Sequence, residues 1–490
     1  MRVASAFVVA QPGYTDAYYY SIVASRLAHG EGLTADFIWN FLEAPGFAPL
    51  PIASHVFWVP LASTLQAGGI AVLGGLLGEF RAGQAAVIAV AAFLPAATYA
   101  AARSLDVAPR YALAAAALVG LGGLFAPGLV AADSFAPAAL IGTLFFLAFA
   151  RAAGGSVRAG ALAGLLVGLL YLARAEGALF GLALLALAGR PESRSAGLIG
   201  SAVALAIGGA WFARDLSLGA GDLLARSMLL TDYQQFFRIE PPTAAQFFGA
   251  FPSVLAAKLG ALGMNAATAI LAFFVILGPL AAVSSRRLRT LPHVSAWASL
   301  LVVVFLAQSL LFTLHSTRGS YFHSLAAFFP FGIALAAAGA ERALAHRGAS
   351  VTRLWVAGAM VLAVIMSVGA VVEWDATFNA GVRVRTAALD AIPPGPFMAI
   401  DAAAWRSIAG RPVIVTPAQP DVMTLPLVCG IANRYGARAL VLEAAHFRGY
   451  DAIYNDVVRP VWLGPATIRG AIKIFPIYAD CPPDPRVLQR

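Results

Sequence analysis

Two acids and two arginines carry most of the chemistry legible in this chain. Asp16 lies in Gln11-Pro12-Gly13-Tyr14-Thr15-Asp16-Ala17-Tyr18-Tyr19-Tyr20, just past a short apolar N-terminal segment. Asp133 lies in Ala131-Ala132-Asp133-Ser134-Phe135, between two long apolar runs. Acids at membrane depth are costly to keep and tend to be functional. Two of them, converging from separate loops, can divide a reaction, one as general base and one as orienting group or metal ligand. The plainer reading of Asp133 is a cap on the helix that follows it.

Arg174 and Glu176 share the turn Tyr171-Leu172-Ala173-Arg174-Ala175-Glu176-Gly177, where they can simply pair. Arg318 lies in His315-Ser316-Thr317-Arg318-Gly319-Ser320-Tyr321-Phe322-His323. Guanidinium forks match phosphate oxygens, so Arg174, Arg318, Tyr321 and His323 are candidates for holding a lipid-linked phosphate. The competing reading of the Arg318 segment is interfacial anchoring by Tyr and Arg. The first long loop adds Tyr19, Tyr20, Asp36, Glu43, His55 and Trp58 as candidate substrate contacts. Solvated loop residues look the same, and Trp58 fits a membrane-belt aromatic as well as a sugar platform. Carboxylates with an open position suit Mg²⁺, Mn²⁺ or Zn²⁺, so a divalent metal is left open. No CxxC or His/Cys cluster marks a zinc site.

These residues need a scaffold, and the composition says which kind. The chain has 490 residues, 60% hydrophobic and 12% charged, with mean hydropathy +0.79. Soluble domains carry about 25% charge, so the chain reads as a polytopic membrane protein. The net charge is +9, but the arginines are scattered between apolar runs and form no basic face for nucleic acid. Lys258 and Lys473 are the only lysines, and Cys429 and Cys481 the only cysteines. Whether that pair forms a disulfide stays open, though an outside location permits it.

Apolar runs at Gly83–Ala102, Tyr111–Ala131, Phe135–Ala150, Gly160–Leu172, Gly177–Ala188, Gly197–Ala213, Met264–Val283, Val294–Thr313, Phe322–Gly339 and Leu354–Val372 are the expected spans. Val3–Ala10 is shorter than the roughly 20 residues a span needs and reads as a clipped first helix. That gives about 11 spans. Arg103, Arg110, Arg151, Arg158, Arg190, Arg194, Arg286, Arg287, Arg289, Arg342, Arg347 and Arg353 then fall on one side, which is cytoplasmic by the positive-inside rule. Asp16, Asp133, the Arg174 turn and His315–His323 fall on the other.

Residues 1–375 thus read as a transmembrane domain with a long first extracytoplasmic loop, 11–81. Tyr18–His29 reads as an amphipathic interfacial helix, and Leu61–Leu77 as a helix lying along the surface. Residues 376–490 read as a small extracytoplasmic α/β domain. Its strands are expected at Phe397–Ile400, Pro412–Val415, Ala439–Leu442, Val461–Leu463 and Ile472–Phe475, with helices at Ala403–Ala409 and Asp421–Tyr435.

The pattern resembles the GT-C glycosyltransferase superfamily, in the branch of protein O-mannosyltransferases and aminoarabinose transferases. The resemblance runs over roughly residues 10–375. It rests on Gly13-Tyr14-Thr15-Asp16 with Tyr19-Tyr20, Trp58-Val59-Pro60-Leu61, Asp133-Ser134-Phe135, Arg174-Ala175-Glu176-Gly177 and Arg318 to His323. It implies a mainly α, GT-C-like enzyme of the bacterial inner membrane. Such an enzyme moves a sugar from a polyprenyl-phosphate carrier to a lipid, glycan or protein acceptor on the extracytoplasmic face. Asp16 would deprotonate the acceptor, inversion would expel the lipid phosphate, and Arg174 and Arg318 would hold that phosphate. Ala17 stands where the mannosyltransferases carry Glu, which argues against protein mannosylation. The alternatives are a non-catalytic scaffold of the same body, or a transporter. Against the transporter stand the absence of an inverted repeat and of charges deep in the spans.

Overall fold

The computed structural model describes residues 2–219, 223–345 and 347–478. It is mainly helical and divides into two compact units. The first comprises residues up to Pro12, Trp58–Arg214 and Leu255–Asp375. Among the described residues, six helices are long and apolar enough to cross a membrane: Glu79–Arg103, Phe135–Ala153, Pro191–Ser217, Phe251–Ala272, Pro292–Leu311 and Gly348–Ala391. Thr313–Leu325 and Phe329–Leu344 make a seventh only as a pair bent by 64°. Pro109–Phe125, Val157–Ala173 and Ala175–Ala188 are helical but fall short of the usual length of about 20 residues. Leu61–Leu77 is also a short apolar helix.

Small residues let these helices approach closely. A side chain at Gly160 would collide with the carbonyl oxygen of Ala196, and one at Gly164 with that of Gly200. The spacing Gly160/Gly164 against Ala196/Gly200 is the small-xxx-small pattern of membrane helix pairs. The expected span Met264–Val283 is interrupted. Its helix ends at Ala272, Phe274 and Val275 adopt positive φ, and a new helix runs Leu277–Arg287. The reason is aromatic packing. Phe274 fills the space beside Gly123, and Phe273 packs edge-on to Trp297 with ring centroids 6.1 Å apart.

The second unit is assembled from three distant stretches, Gly13–Phe57, Asp215–Val254 and the chain from Ala376 onward. Its core is a five-stranded sheet of β3 (Phe397–Ala399), β4 (Val413–Val415), β5 (Ala439–Leu442), β6 (Thr467–Arg469) and β7 (Ile472–Pro476), in the order β4-β3-β5-β7-β6. β3 pairs in parallel with β4 and β5, crossing over through the helices Ala402–Ala409 and Asp421–Tyr435, while β7 runs antiparallel to β5 and β6. Val461–Leu463 is not a strand: only Leu463 makes an isolated bridge, to Ile477. Cys429 is buried on the helix Asp421–Tyr435, and Cys481 lies outside the described residues.

The first loop is woven into this sheet. β1 (Thr34–Ala35) and β2 (Ile52–Ala53) form a small antiparallel pair. Between them, Ile38 bridges to Ile414 beside β4, donating to the Val413 carbonyl at 3.0 Å and accepting from the Val415 N–H at 2.7 Å. The Asn40 amide donates to the Phe236 carbonyl at 3.0 Å, which ties in the middle stretch. Arg406 grips Asp36 with Nε 2.9 Å from each carboxylate oxygen, and Arg434 Nε donates to the Phe47 carbonyl at 3.1 Å. The expected interfacial helix is present as Thr15–Ala28, but Tyr18, Tyr19, Tyr20, Ile22 and Val23 are all buried. The protein core covers a face that the sequence assigned to lipid.

At the heart of the loop, the Tyr19 hydroxyl donates to Glu43 Oε1 at 2.9 Å and accepts from the His55 N–H at 2.5 Å. The Phe57 N–H also donates to Glu43 Oε1, at 3.3 Å. The Tyr19 ring meets Phe37, Trp39 and His55 edge-on, and Tyr20 stacks on His55. Glu43 is 3% exposed. Burial pushes its carboxyl up to about 7, against the lowering effect of the Tyr19 and Phe57 hydrogen bonds.

Two outcomes follow from this packing. Gly164→Leu should force the helices Val157–Ala173 and Arg194–Ser217 apart and cost roughly 1–3 kcal/mol, read as a lower thermal midpoint in detergent. Gly209→Ala, where an added Cβ meets nothing within 4 Å, is the control and should not lower it. Glu43 sets a pH dependence. With its folded pKa raised, the folded protein holds a proton that the unfolded chain has lost between about pH 4.5 and 7. Its contribution is therefore full at low pH and falls by up to about 3 kcal/mol as pH rises through 7. Glu43→Gln keeps an acceptor for Tyr19 and should flatten that slope in melts at pH 5 to 8. An unchanged slope would contradict the assignment.

Candidate functional site

The helix Val157–Ala173 stops at Arg174, which turns to extended backbone (φ −155°, ψ 130°), and a tight helical turn, Ala175–Phe180, follows. Gly177 is required here, because a Cβ would run into the Leu170 backbone. This sharp reversal aims Arg174 and Glu176 at the segment Ser320–Ser324.

Arg174 Nε donates to Glu176 Oε1 at 2.7 Å, its Nη1 lies 3.0 Å from His323 Nδ1, and its Nη2 lies 3.5 Å from Ser320 Oγ. Ser324 Oγ also donates to Glu176 Oε1 and accepts from Gln308 Nε2 at 3.3 Å. An arginine is always a donor, so His323 Nδ1 accepts from it and the ring proton sits on Nε2. Asp133 Oδ2 lies 3.6 Å from the same Nδ1, a distance that becomes an ion pair only when the ring is protonated. Asp133 is fully buried and accepts the Ser134 N–H. Ser134, not Asp133, is the N-cap residue of Phe135–Ala153. The His323 ring lies over Phe135 with centroids 4.1 Å apart.

The structure thus brings together Asp133, Arg174, Glu176 and His323, four residues spread over some 190 positions of sequence. It treats the other candidates differently. Tyr321 is 1% exposed, its ring edge-on to Phe305 with centroids 5.8 Å apart. Arg318 is exposed, in a widened helical turn at Ser316–Ser320 that Gly319 makes possible with φ 109°. Trp58 is half-buried in the first unit. Tyr19, Tyr20, Glu43 and His55 form the buried cluster of the loop.

Asp16 sits half-buried in the first turn of the helix Thr15–Ala28, after Tyr14 in extended conformation. An acid there also favours the positive end of the helix dipole. Asp16 belongs to the second unit and Asp133 to the first.

Sequence reasoning missed the polar residues that support the cluster. Gln66 is 1% exposed, and its amide donates to the Ala132 carbonyl at 3.1 Å, fixing the backbone just before Asp133. Asn265 donates to Ser309 Oγ and Ser316 Oγ at 2.9 and 3.0 Å, and Lys258 Nζ donates to the Leu310 carbonyl. Both hold the irregular stretch Ala307–Ser320, where widened turns free backbone groups from the helical ladder. The available signal was a lone amide or ammonium inside an apolar run. Among the described residues, no group of three or more His, Cys, Asp and Glu is gathered to hold a metal ion.

The sequence matches no family profile and no curated protein. The fold does find relatives. ArnT from Cupriavidus metallidurans in the apo state superposes with a TM-score of 0.58 at 13% identity, over 99% of this chain and 97% of that one. The same protein bound to undecaprenyl phosphate gives 0.56 at 13% identity, over 99% and 98%. The archaeal oligosaccharyltransferase AglB from Archaeoglobus fulgidus, in complex with an inhibitory peptide and a dolichol-phosphate, gives 0.53 at 12% identity, over 98% of this chain and 74% of that one. Both are GT-C glycosyltransferases, and at this level of identity what is shared is architecture: the chain has the GT-C glycosyltransferase fold.

Proposed function

We propose that this protein is a membrane glycosyltransferase. It takes a sugar from a polyprenyl-phosphate donor and passes it, with inversion, to a lipid, glycan or protein acceptor. The observation that carries the reading is the match to ArnT along nearly the full length of both chains, a protein also solved with undecaprenyl phosphate bound. The placement of Asp16 supports it: the acid lies at the start of a helix within a long, ordered first loop.

In this mechanism Asp16 takes the proton of the acceptor hydroxyl or amine as the acceptor oxygen or nitrogen bonds to the anomeric carbon. The bond from that carbon to the phosphate oxygen breaks on the opposite face, and its electron pair leaves with the polyprenyl phosphate. Arg318 meets the phosphate from its exposed turn. Arg174, pre-oriented by Glu176 and His323, adds fixed positive charge where the leaving charge develops. Asp133, 3.6 Å from His323 Nδ1, pairs with that ring when it takes up a proton and so holds the His323 side of the array.

The topology belongs to the same reading. Taking the bent pair as one span, and adding Pro109–Phe125, Val157–Ala173 and Ala175–Ala188, accounts for the apolar runs of the sequence. With the N-terminal helix, this is an eleven-span protein of a bacterial inner membrane. Its arginine-bearing loops are cytoplasmic, and the second unit is extracytoplasmic.

The test is glycosyl transfer by purified protein in nanodiscs, with a panel of undecaprenyl-phosphate-linked hexoses and pentoses and a cell-envelope extract as acceptor. Asp16→Asn should lower the rate by roughly 10²- to 10⁴-fold while the protein stays folded. Arg174→Ala should lower it too, because a charge aimed at the leaving phosphate is lost. If no donor is consumed and Asp16→Asn behaves as wild type, catalysis is abandoned for a scaffold role.

A further inference from the structure

The parallel strands β3 and β5 are in register, with Ala399 opposite Val441. Two residues further on, Asp401 and Glu443 therefore leave neighbouring strands at the same level, at their carboxyl ends. The strand order reverses here. β4 lies on one side of β3 and β5 on the other, which opens a crevice at the carboxyl ends. In open parallel sheets this switch point is where ligands bind.

In this protein the chain itself fills that crevice. Arg385 donates from Nε and Nη2 to the two oxygens of Glu443 at 3.0 and 3.1 Å, and its Nη1 lies 3.1 Å from Asp401 Oδ2. Trp405 Nε1 donates to Glu443 Oε1 at 2.7 Å. The remaining Asp401 oxygen, Oδ1, accepts from Thr15 Oγ1 at 3.2 Å. Thr15 is the residue before Asp16. Tyr14, on its other side, packs its ring against Phe378 with centroids 5.6 Å apart. Tyr18, 1% exposed, lies within the electrostatic reach of Asp401 and Arg385. Burial works against the Arg385 charge, but Asp401 and Glu443 outweigh it and favour the charged guanidinium. At its other end the same helix is tied again, through Arg26 to Asp36 and from Asp36 to Arg406.

We propose that Arg385 and Asp401 are positioning residues for Asp16: the sheet's ligand crevice is used to hold the first turn of the helix Thr15–Ala28, and so fixes the carboxylate that starts the reaction. This rests on Asp16 being the base. Arg385 neutralises two carboxylates that would otherwise repel, and Asp401 passes that constraint to Thr15. On this account the C-terminal part of the chain sets the geometry of a group some 370 positions earlier.

The test has two readouts on full-length protein in nanodiscs. The first is hydrogen exchange of the segment 13–20, which does not depend on activity. The second is transfer kinetics with the undecaprenyl-phosphate sugar panel. Arg385→Lys keeps the charge and loses the fork. Thr15→Val removes only the donor to Asp401, and Thr15→Ser restores it. Both Arg385→Lys and Thr15→Val should speed exchange in 13–20 at least tenfold, while the strands of the C-terminal sheet stay protected. Both should lower kcat by roughly 10- to 100-fold with KM for the donor within twofold, and Thr15→Ser should recover most of it. Unchanged exchange in 13–20 for Thr15→Val overturns the proposal, and so does equal loss of kcat with Thr15→Ser and Thr15→Val. If exchange rises as expected but Asp16→Asn is fully active, the tether stands, the role of Asp16 as base fails, and the positioning claim falls with it.

Discussion

Two carboxylates cannot share one end of a parallel sheet without a cation between them. The register of β3 and β5 places Asp401 and Glu443 in that position, and Arg385 resolves the conflict with three charged contacts. Much else in the second unit depends on this arrangement. Asp401 has an oxygen left for Thr15, so the start of the Asp16 helix is fixed by the same clamp. Trp405, fully buried, packs edge-on to Phe397 and caps the arrangement from the adjoining helix. A long loop without regular structure would leave many backbone groups unsatisfied. This one borrows the sheet edge beside β4 and side chains of the C-terminal helices to satisfy them.

The membrane unit solves a different problem. Lipid offers no hydrogen bonds, so irregular backbone at depth must be satisfied by the protein. The stretch Ala307–Ser320 departs twice from regular helix, and Lys258, Asn265 and the serines around them supply partners. The irregularity is what turns His323 and Ser324 toward Arg174 and Glu176. Close helix contacts through Gly160, Gly164, Gly142 and Gly197 leave no room for side chains between the backbones and hold the frame around it.

Buried acids serve different ends in the two units. Glu43 sits among aromatic rings with Tyr19 as its partner, and its carboxyl is pushed up toward neutral pH. It organises the loop and is sealed from solvent. Asp133 is equally buried, but it faces a histidine that an arginine already engages. One acid is held by a tyrosine hydroxyl and a backbone N–H among aromatic rings, the other lies beside a charged array of arginine, glutamate and histidine.

The sequence by itself determined the local elements. Apolar runs, arginine-bearing loops and most of the strand and helix pattern after Pro393 follow from neighbouring residues: the helix Asp421–Tyr435 and strand Ala439–Leu442 stand where periodicity put them, whereas Val461–Leu463 is not a strand and Thr467–Arg469 is. The motif residues of the Arg174 turn and of His323 stood out in the sequence as polar groups between apolar runs. Only the tertiary structure decided which of these residues meet. It buried Tyr19, Tyr20, Glu43 and His55, broke the helix at Phe274, withdrew Tyr321 into the core and left Arg318 exposed. It also joined Arg385 and Asp401 to Thr15, the last two 386 positions apart in the chain. Periodicity reports which face of an element is apolar. It carries no information on whether lipid or protein covers that face, nor on which distant side chain completes a hydrogen bond, because both are set by long-range packing.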